Sequence, residues 1–351
     1  MNNEVIRTKQ SSHSYSNDGS NGMKISDHFN GTTFYNSATI QPKGFGSILK
    51  WLWTRQPGEW KSSELQSSTK PIAKVQHGIR ITFVNHSTFL LQMDGLNILT
   101  DPIWSDRASP FSFIGPKRKR MPGILFEDLP KIDAILVSHN HYDHLDLPTL
   151  MKLYVAHAPK IVVPLGVKKF LESKGISNVV ELDWWNDTNV NEKISIQSVP
   201  AQHFSGRGIF DRNTTLWCGY VIKTPLGNLY FAGDTGYNWE MFQEIGQHCG
   251  PIRVAFLPIG AYKPKWFMSP VHISPEEAVK IHMILNIETS IGMHFGTFRL
   301  ADDGQEDPVR DLQKAVNKYR LEENEFLILK EGSNFQVEHE IVVNRNEKVA
   351  I

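Results

Sequence analysis

One short segment constrains this chain more than any other: Ser-His-Asn-His-Tyr-Asp-His at residues 138–144. It follows the apolar run 134–138, which we predict to be a buried strand. Alternation along an extended strand end points His139 and His141 to the same side. The chain then bends into a predicted helix, which can turn the last two side chains of the segment towards a neighbouring point. Imidazole and carboxylate groups this close together are typical of a metal site, and they favour zinc over magnesium.

Three more candidate ligands stand alone, each directly after a predicted strand: His203, Asp234 and His294. In α/β sheets this edge is where sites are built, so we expect the three to meet the first cluster. Each one alone is structural about as often as functional. Together they supply what the segment 138–144 lacks, because four ligands cannot fill two metal sites. The alternative is a solvated polar loop with chance histidines, which fits poorly with a position after a buried strand.

Strands mixed with crossover helices indicate an α/β protein. We divide the chain into a mobile polar tail (1–40), an amphipathic N-terminal extension (41–75) and one catalytic domain (76–351), because no linker rich in Pro, Gly or Ser interrupts the last part. The predicted strands are 79–83, 89–93, 96–100, 134–138, 160–164, 179–182, 194–199, 217–224, 228–232, 254–257, 289–293 and 326–329, and the predicted helices are 45–54, 148–154, 166–173, 238–245, 275–285 and 307–319.

Composition narrows the functional class. Lysine plus arginine and aspartate plus glutamate number 37 each, and this neutral balance argues against a dedicated nucleic-acid partner. Only two cysteines occur, Cys218 and Cys249, which excludes a disulfide framework. The sequence shows no apolar run of the roughly 20 residues that span a bilayer, and no signal-peptide core near its start. We therefore expect a cytoplasmic protein, with peripheral contact to a membrane surface left open.

The pattern H-x-H-x-D-H, followed by a separate His, Asp and His at strand ends, resembles the metallo-β-lactamase superfamily over about residues 79–329. The resemblance implies a four-layer αββα sandwich with two zinc ions per chain at one edge. It assigns the first zinc to His139, His141 and His203, the second to Asp143, His144 and His294, and a bridging position to Asp234.

Further blocks resemble the N-acylphosphatidylethanolamine-hydrolysing phospholipase D family: FVNHSTFLL (83–91), LTDPIWSDRASPFSFIGP (99–116), GDTGYNW (233–239) and HISPEEAVKIH (272–282). This likeness implies a zinc-dependent phosphodiesterase that converts N-acylphosphatidylethanolamine into N-acylethanolamine and phosphatidic acid. A hydroxide shared by two metals would attack phosphorus. Asp143 and Asp234 would act within the metal centre, and His272 would stabilise the phosphate or help to protonate the leaving oxygen. On spacing alone, His272 is as well explained as a neighbour of the helix N-cap.

Two residues are candidates for supporting roles. Asp101 is expected to orient a metal-binding histidine, since such histidines usually donate their other ring nitrogen to a partner. His86 follows the first strand, where a hydrogen bond at the strand end is a better interpretation than a metal ligand.

Two basic–aromatic stretches, 111–120 and 263–268, are hypothesised to flank the site and hold an anionic, partly apolar substrate such as a phospholipid. A solvated loop with ordinary core aromatics explains them equally well. The predicted helix 45–54 could lie on a membrane, cover the core or contact a second copy in a homodimer. The sequence leaves open a same-fold hydrolase of another ester, lactone or small phosphodiester. It also leaves open a nucleic-acid processing enzyme, which the neutral charge does not favour, and a metal-bound scaffold without activity.

Overall fold

Fourteen strands in two sheets organise the part of the chain that the computed structural model describes, residues 23–36, 43–62 and 68–338. The strands are β1 (Ile79–Asn85), β2 (Thr88–Met93), β3 (Leu96–Thr100), β4 (Ala134–Leu136), β5 (Lys160–Pro164), β6 (Val179–Leu182), β7 (Asp187–Asn189), β8 (Ser195–Val199), β9 (Gly219–Lys223), β10 (Asn228–Phe231), β11 (Ile252–Pro258), β12 (Thr289–Met293), β13 (Phe326–Leu327) and β14 (Asn334–Val337). The helices are α1 (Phe45–Thr54), α2 (Leu147–His157), α3 (Val167–Glu172), α4 (Trp239–Cys249), α5 (Lys265–Met268), α6 (Pro275–Ile284) and α7 (Asp307–Tyr319), with a 3₁₀ turn at Phe126–Asp128.

The two sheets have the strand orders β14-β1-β2-β3-β4-β5-β6 and β13-β12-β11-β10-β9-β8-β7. In the first sheet β1 and β3 both run antiparallel to β2, and β4 runs parallel to β3. In the second sheet β8 and β10 both run antiparallel to β9, while β11 and β12 run parallel to β10. The carboxyl ends of β1, β3 and β4 therefore share one edge, and so do those of β8, β10 and β12.

Apolar side chains form the layers between and outside the sheets. The outer face of the first sheet packs against α2 and α3 through buried residues such as Ile135, Leu150 and Leu171. The inner faces of both sheets share a large core that extends to α4, α6 and α7, with Phe256 and Phe242 among its largest members. The predicted αββα sandwich is confirmed.

Local chemistry explains several element boundaries. Asp94 and Gly95 turn the β2–β3 hairpin with φ of 47° and 73°, a left-handed pair that Asp-Gly adopts readily. Helix α6 begins with a capping box in which Ser274 and Glu277 satisfy each other's backbone N–H groups. None of the described helices is long and apolar enough to cross a bilayer.

The structure corrects part of the expected tail. Residues 23–36 belong to the fold, because Phe29 and Phe34 are each only 1% exposed and pack in the core between the sheets. Two aromatic anchors in an otherwise polar stretch are enough to hold it, and an average over the stretch hides them. The rest of the expected tail, residues 1–22 and 37–40, lies outside the described residues. Strands β7 and β14 were also missed, since β7 is polar and β14 has only four residues, and both are defined by pairing with β8 and β1.

Candidate metal centre

Six strand ends deliver the candidate residues to one place. His86, Asp101 and His139 follow β1, β3 and β4, and His203, Asp234 and His294 follow β8, β10 and β12. The structure brings all seven predicted ligands together, as overlapping groups whose donor atoms lie within 4.8 Å of one another. The groups are His86, Asp143, His144 and His294; His139, His141 and His203; His139, His144 and Asp234; and His203, Asp234 and His272.

A buried carboxylate sets the direction of two of these rings. Asp101 Oδ2 lies 2.6 Å from His144 Nδ1 and 2.6 Å from Ser138 Oγ, and both the carboxylate and His144 are fully buried. Ser138 donates its hydroxyl hydrogen to Asp101 and so accepts from His139 Nδ1 at 2.9 Å. Both imidazoles therefore carry hydrogen on Nδ1 and present Nε2 to the centre. The expectation that Asp101 orients a candidate ligand agrees with this geometry.

His203 is fixed in the same sense by a backbone carbonyl. Its Nδ1 lies 2.9 Å from the oxygen of Val271, which can only accept, so Nδ1 is protonated and Nε2 is free. His141 Nδ1 lies 2.9 Å from His139 Nε2 and 3.3 Å from His203 Nε2. We call His139, His141 and His203 the first group. Its members place three ring nitrogens around one point. A single proton on His141 Nδ1 could form a hydrogen bond to His139 or to His203, but not to both.

The second group, Asp143, His144 and His294, is rich in charge. Asp143 Oδ2 lies 3.3 Å from the Nε2 atoms of both His144 and His294. His86 supports this group as well, because its Nε2 lies 3.1 Å from the same oxygen, which agrees with the supporting role for which it is a candidate. His86 also accepts from the backbone N–H of His294 through its carbonyl at 2.8 Å. It therefore steadies two members of the second group at once.

Asp234 lies between the two groups. Its Oδ2 atom is 3.1 Å from His294 Nε2, 3.3 Å from His144 Nε2 and 3.8 Å from His203 Nε2. The same oxygen is 3.8 Å from Nδ1 of His272, so the structure brings this residue into the site as well. The side chain of His272 is 14% exposed, which places it, with the partly exposed His141, at the mouth of the centre.

The protonation states of the first group and of Asp234 follow from their surroundings. Burial lowers the pKa of His141 to about 4 and holds the pKa values of His139 and His203 well below their usual range, so the first group is neutral at pH 7. Burial disfavours the charged form of Asp234, but the facing imidazoles of His294 and His144 hold its pKa well below the ordinary value.

The residues fit metal ions on these observations. Tetrahedral zinc holds imidazole nitrogens at roughly 2.0–2.1 Å, which separates them by about the distances found in the first group. Neutral lone pairs that face one another need a cation between them. In the described part of the chain, the ion-pair partners of Asp143 and Asp234 are all histidines. Asp234 Oδ1 and His144 Nε2 are buried there without hydrogen-bond partners.

The basic stretches are less available to a substrate than expected. Arg118 is buried, donates to the backbone oxygens of Ile103 and Ser105 and stacks over Phe298. Arg120 pairs with Glu306 and Glu331. Lys263 pairs with Asp307 at 2.9 Å and with Asp311 at 3.3 Å. These cations stabilise the loops that surround the site, and a count of charges in the sequence cannot reveal that.

Comparisons with known proteins agree with this architecture. A family model described as a β-lactamase superfamily domain matches residues 96–295, more than half of the chain. The chain belongs to the metallo-β-lactamase superfamily. A metallo-hydrolase of this fold from Ignicoccus hospitalis superposes with a TM-score of 0.55 at 24% identity, covering 74% of this chain and 99% of that one. That likeness shows the fold alone.

Two curated superfamily relatives are more similar in sequence. N-acyl-phosphatidylethanolamine-hydrolyzing phospholipase D 1 of Caenorhabditis elegans is 41% identical over 232 residues, covering 64% of this chain and 65% of that protein. The mitochondrial N-acyl-phosphatidylethanolamine-hydrolyzing phospholipase D of Saccharomyces cerevisiae is 41% identical over 239 residues, covering 66% of this chain and 50% of that protein. The matches thus span less than two thirds of either relative. The chain is therefore similar to metal-dependent hydrolases of the metallo-β-lactamase superfamily, and it has a His/Asp cluster that could hold metal.

Proposed function

We propose that this metallo-β-lactamase-fold hydrolase is a dinuclear zinc phosphodiesterase of the phospholipase D type, acting on N-acylphosphatidylethanolamine. Its products are then N-acylethanolamine and phosphatidic acid. The observation that carries the proposal is Asp234, whose Oδ2 lies within 3.8 Å of Nε2 atoms from both the first and the second group. One carboxylate between two ligand groups suits a pair of metals, and paired metals suit in-line displacement at phosphorus. The two phospholipase D relatives support the substrate class.

Seven side chains would hold the ions in this proposal, and an eighth, His272, would contact the substrate. When bound, the metals would supply a nucleophile ionised near neutral pH and Lewis acid stabilisation of the phosphoryl oxygens. The first zinc would be held by His139, His141 and His203, the second by Asp143, His144 and His294, and both by Asp234.

The chain's own residues would position the reacting groups. Asp234 Oδ1 is buried without a hydrogen-bond partner in the described chain, so it is available to accept a hydrogen bond from the attacking water. Burial, partly offset by Asp234, lowers the pKa of His272 to about 4. A neutral imidazole at the mouth of the centre suits donation of an N–H to a phosphoryl oxygen. It does not suit the role of an imidazolium acid, so we favour the first of the two roles expected for His272.

Exposed apolar side chains on α1 support a lipid substrate, because this helix packs on α5, whose last residue, Met268, accepts from the backbone N–H of His272. Helix α1 is fastened to the domain by Trp51, which stacks on Phe267 at 5.0 Å and donates to Asp302 at 3.0 Å. Its other side is open, and Trp53 is 92% exposed. Other exposed apolar residues of the helix are Ile48, Leu49 and Leu52. We propose that this face touches the membrane surface that carries the substrate.

A lipid-panel assay in ¹⁸O-labelled water tests the reaction class. Attack at phosphorus puts the label on phosphatidic acid, which mass spectrometry separates from N-acylethanolamine. The matched control is His139→Ala, which we expect to lose metal and turnover while largely keeping the fold. Turnover of bis(p-nitrophenyl) phosphate without lipid hydrolysis would contradict the lipid assignment and favour a small-phosphodiester hydrolase. Two bound metals without turnover of any substrate would favour a scaffold.

The membrane contact has a separate test. Trp53→Glu places a charge on the open face of α1 without touching Trp51, so we expect weaker co-sedimentation with anionic liposomes and unchanged hydrolysis of a soluble phosphodiester. Glu240→Gln, on α4, is a control that alters charge elsewhere. Unchanged liposome binding by Trp53→Glu would contradict the role of this face.

A further inference from the structure

Two N-terminal segments that precede the matched domain residues 96–295 reach the backbone near one histidine of each ligand group. We propose that residues 23–36 and 51–62, called here the N-terminal brace, position His203 and His294 for metal binding. The proposal rests on the two-metal centre proposed above. It assigns these segments a role in metal affinity. The first arm, residues 23–36, supports the first group, and the second arm, residues 51–62, supports the second group.

The first arm ends at Asn36, which binds both backbone groups of His203. Asn36 Oδ1 accepts from His203 N at 3.0 Å, and Asn36 Nδ2 donates to His203 O at 2.9 Å. Trp217 Nε1 donates to the same Oδ1 at 3.2 Å and so fixes the amide itself. With the ring held by Val271, the main chain and the side chain of His203 are both restrained. Buried Phe29 and Phe34 anchor this arm in the core.

The second arm passes over the loop that follows His294. Gly58 N donates to Asp302 O at 2.8 Å, and Gln305 N donates to Glu59 O at 3.0 Å. Gln305 then links the arm to the loop, because its Oε1 accepts from Lys61 N at 3.1 Å and its Nε2 donates to Gly296 O at 3.2 Å. The approach is close enough that a Cβ on Gly58 would overlap the backbone of Gly304.

The loop at His294 needs such support. His294 has a φ of 59° and Gly296 a φ of 72°, so two positions in three adopt left-handed backbone. For a residue with a side chain this conformation is strained and persists only where the surroundings enforce it. A brace that holds the next turn of chain in place therefore helps to hold the imidazole.

Zinc titration into metal-free protein tests both arms without substrate. We expect Asn36→Ala and Gly58→Ala each to weaken one zinc equivalent by roughly 10-fold, as loss of an outer-sphere partner typically does. The matched controls are Asn30→Ala, which among the described residues removes only local turn contacts with Thr32 and Thr33, and Gly46→Ala, where a Cβ meets no described atom within 4 Å. Neither control should change zinc affinity.

Two ligand-deleted backgrounds assign each arm to its group. In His203→Ala protein, which keeps only the second group, Gly58→Ala should still weaken zinc binding and Asn36→Ala should not. In His294→Ala protein the pattern should reverse. Equal effects in both backgrounds, or a lower Tm with unchanged zinc affinity, would overturn the proposal and leave the brace as ordinary packing.

Milder variants keep the test decisive if an alanine variant does not fold. Asn36→Asp keeps an acceptor for His203 N and replaces the donor to His203 O with a charged oxygen. Gln305→Ala cuts the second arm from Gly296 without changing a residue of the arm. The same zinc outcomes apply to them. A wild-type protein that binds two zinc ions but does not hydrolyse the lipid would refute the proposed substrate and leave the brace standing. A wild-type protein that binds no zinc would refute both.

Discussion

The two ligand groups of this centre lie side by side but are built from different chemistry. The first group consists of three imidazoles, and burial keeps them neutral. The second group combines a carboxylate with two imidazoles and is steadied by further charged or titratable partners, Asp101 and His86. A neutral group suits a cation because its lone pairs face one another. A charged group suits a cation because, among the described residues, the ion-pair partners of its buried carboxylate are all histidines. The comparison suggests that the first group depends on orientation and the second on charge balance.

Asp234→Ala should have the largest effect, because Asp234 is the residue shared by both groups. We expect both zinc affinities to fall by more than the ~100-fold that loss of an outer-sphere partner costs, with no measurable lipid hydrolysis. Metal analysis of purified variants and the labelled-water assay check this. Loss of one zinc with the other unaffected would show that the groups are independent and that Asp234 does not bridge them.

His272→Gln should separate chemistry from metal binding in both groups. Glutamine also carries an N–H donor, but on a flexible chain that no longer holds it at the place of the imidazole N–H, so we expect kcat to fall by roughly 10²–10³-fold while both zinc equivalents stay bound. His282→Gln is the matched control, because His282 is a buried histidine of α6 that bonds Ser290 outside the centre. If His272→Gln lost metal instead, His272 would be a ligand and the group assignment would change.

Asp101→Asn should weaken both groups by a smaller factor. An amide cannot accept from Ser138 Oγ, Ser138 N and His144 Nδ1 together, so the rings of His139 and His144 lose their common orientation. We expect a 10- to 100-fold loss of zinc affinity or activity. If only the zinc affinity of the second group, which contains His144, fell, the hydrogen bonds from Asp101 through Ser138 to His139 would not contribute to metal binding.

His28→Gln should have the smallest effect, a loss of stability. The effect should be limited to the first arm, which supports the first group. His28 lies 2.7 Å from both Asp27 and Asp183. Burial opposes its charge, but these carboxylates, Asp183 above all, raise its pKa. A raised folded-state pKa gives stability that is fully present below about pH 6.5 and is lost as pH rises through the folded value.

The His28 contribution is about 1 kcal/mol, typical of a partly solvated pair. Chemical denaturation at pH 5.5 and at pH 9 measures it, and we expect the gap between wild type and His28→Gln to close at the higher pH. The second arm is held by the ion pair between Arg55 and Asp302, in which neither residue is a histidine. The stability difference between wild type and Arg55→Gln should therefore be the same at both pH values. A gap that widens as pH rises would contradict a raised pKa for His28.

The sequence was sufficient for the parts of this centre that local pattern defines. Three histidines and an aspartate within residues 139–144 are recognisable as candidate metal ligands from their spacing. Strand periodicity places His203, Asp234 and His294 at the same edge. Asp101 could also be predicted, since a carboxylate after β3 is well placed to orient a histidine.

Residues that act through distant partners could not be predicted. Asn36 lies 167 positions before His203, and nothing near either residue signals the contact. Phe29 and Phe34 stand in a polar stretch whose average composition is that of a tail. The basic residues at 117–120 suggested substrate binding, but Arg118 is buried among carbonyl oxygens and Arg120 pairs with acids that follow much later in the chain.

The zinc content of purified wild type, His203→Ala and His294→Ala, measured per chain at saturation, tests the central claim most directly. Two ions in the wild type and one in each variant would agree with two separate groups joined by Asp234. One ion or none in the wild type, or full retention of two ions in either variant, would contradict a dinuclear centre made by these residues.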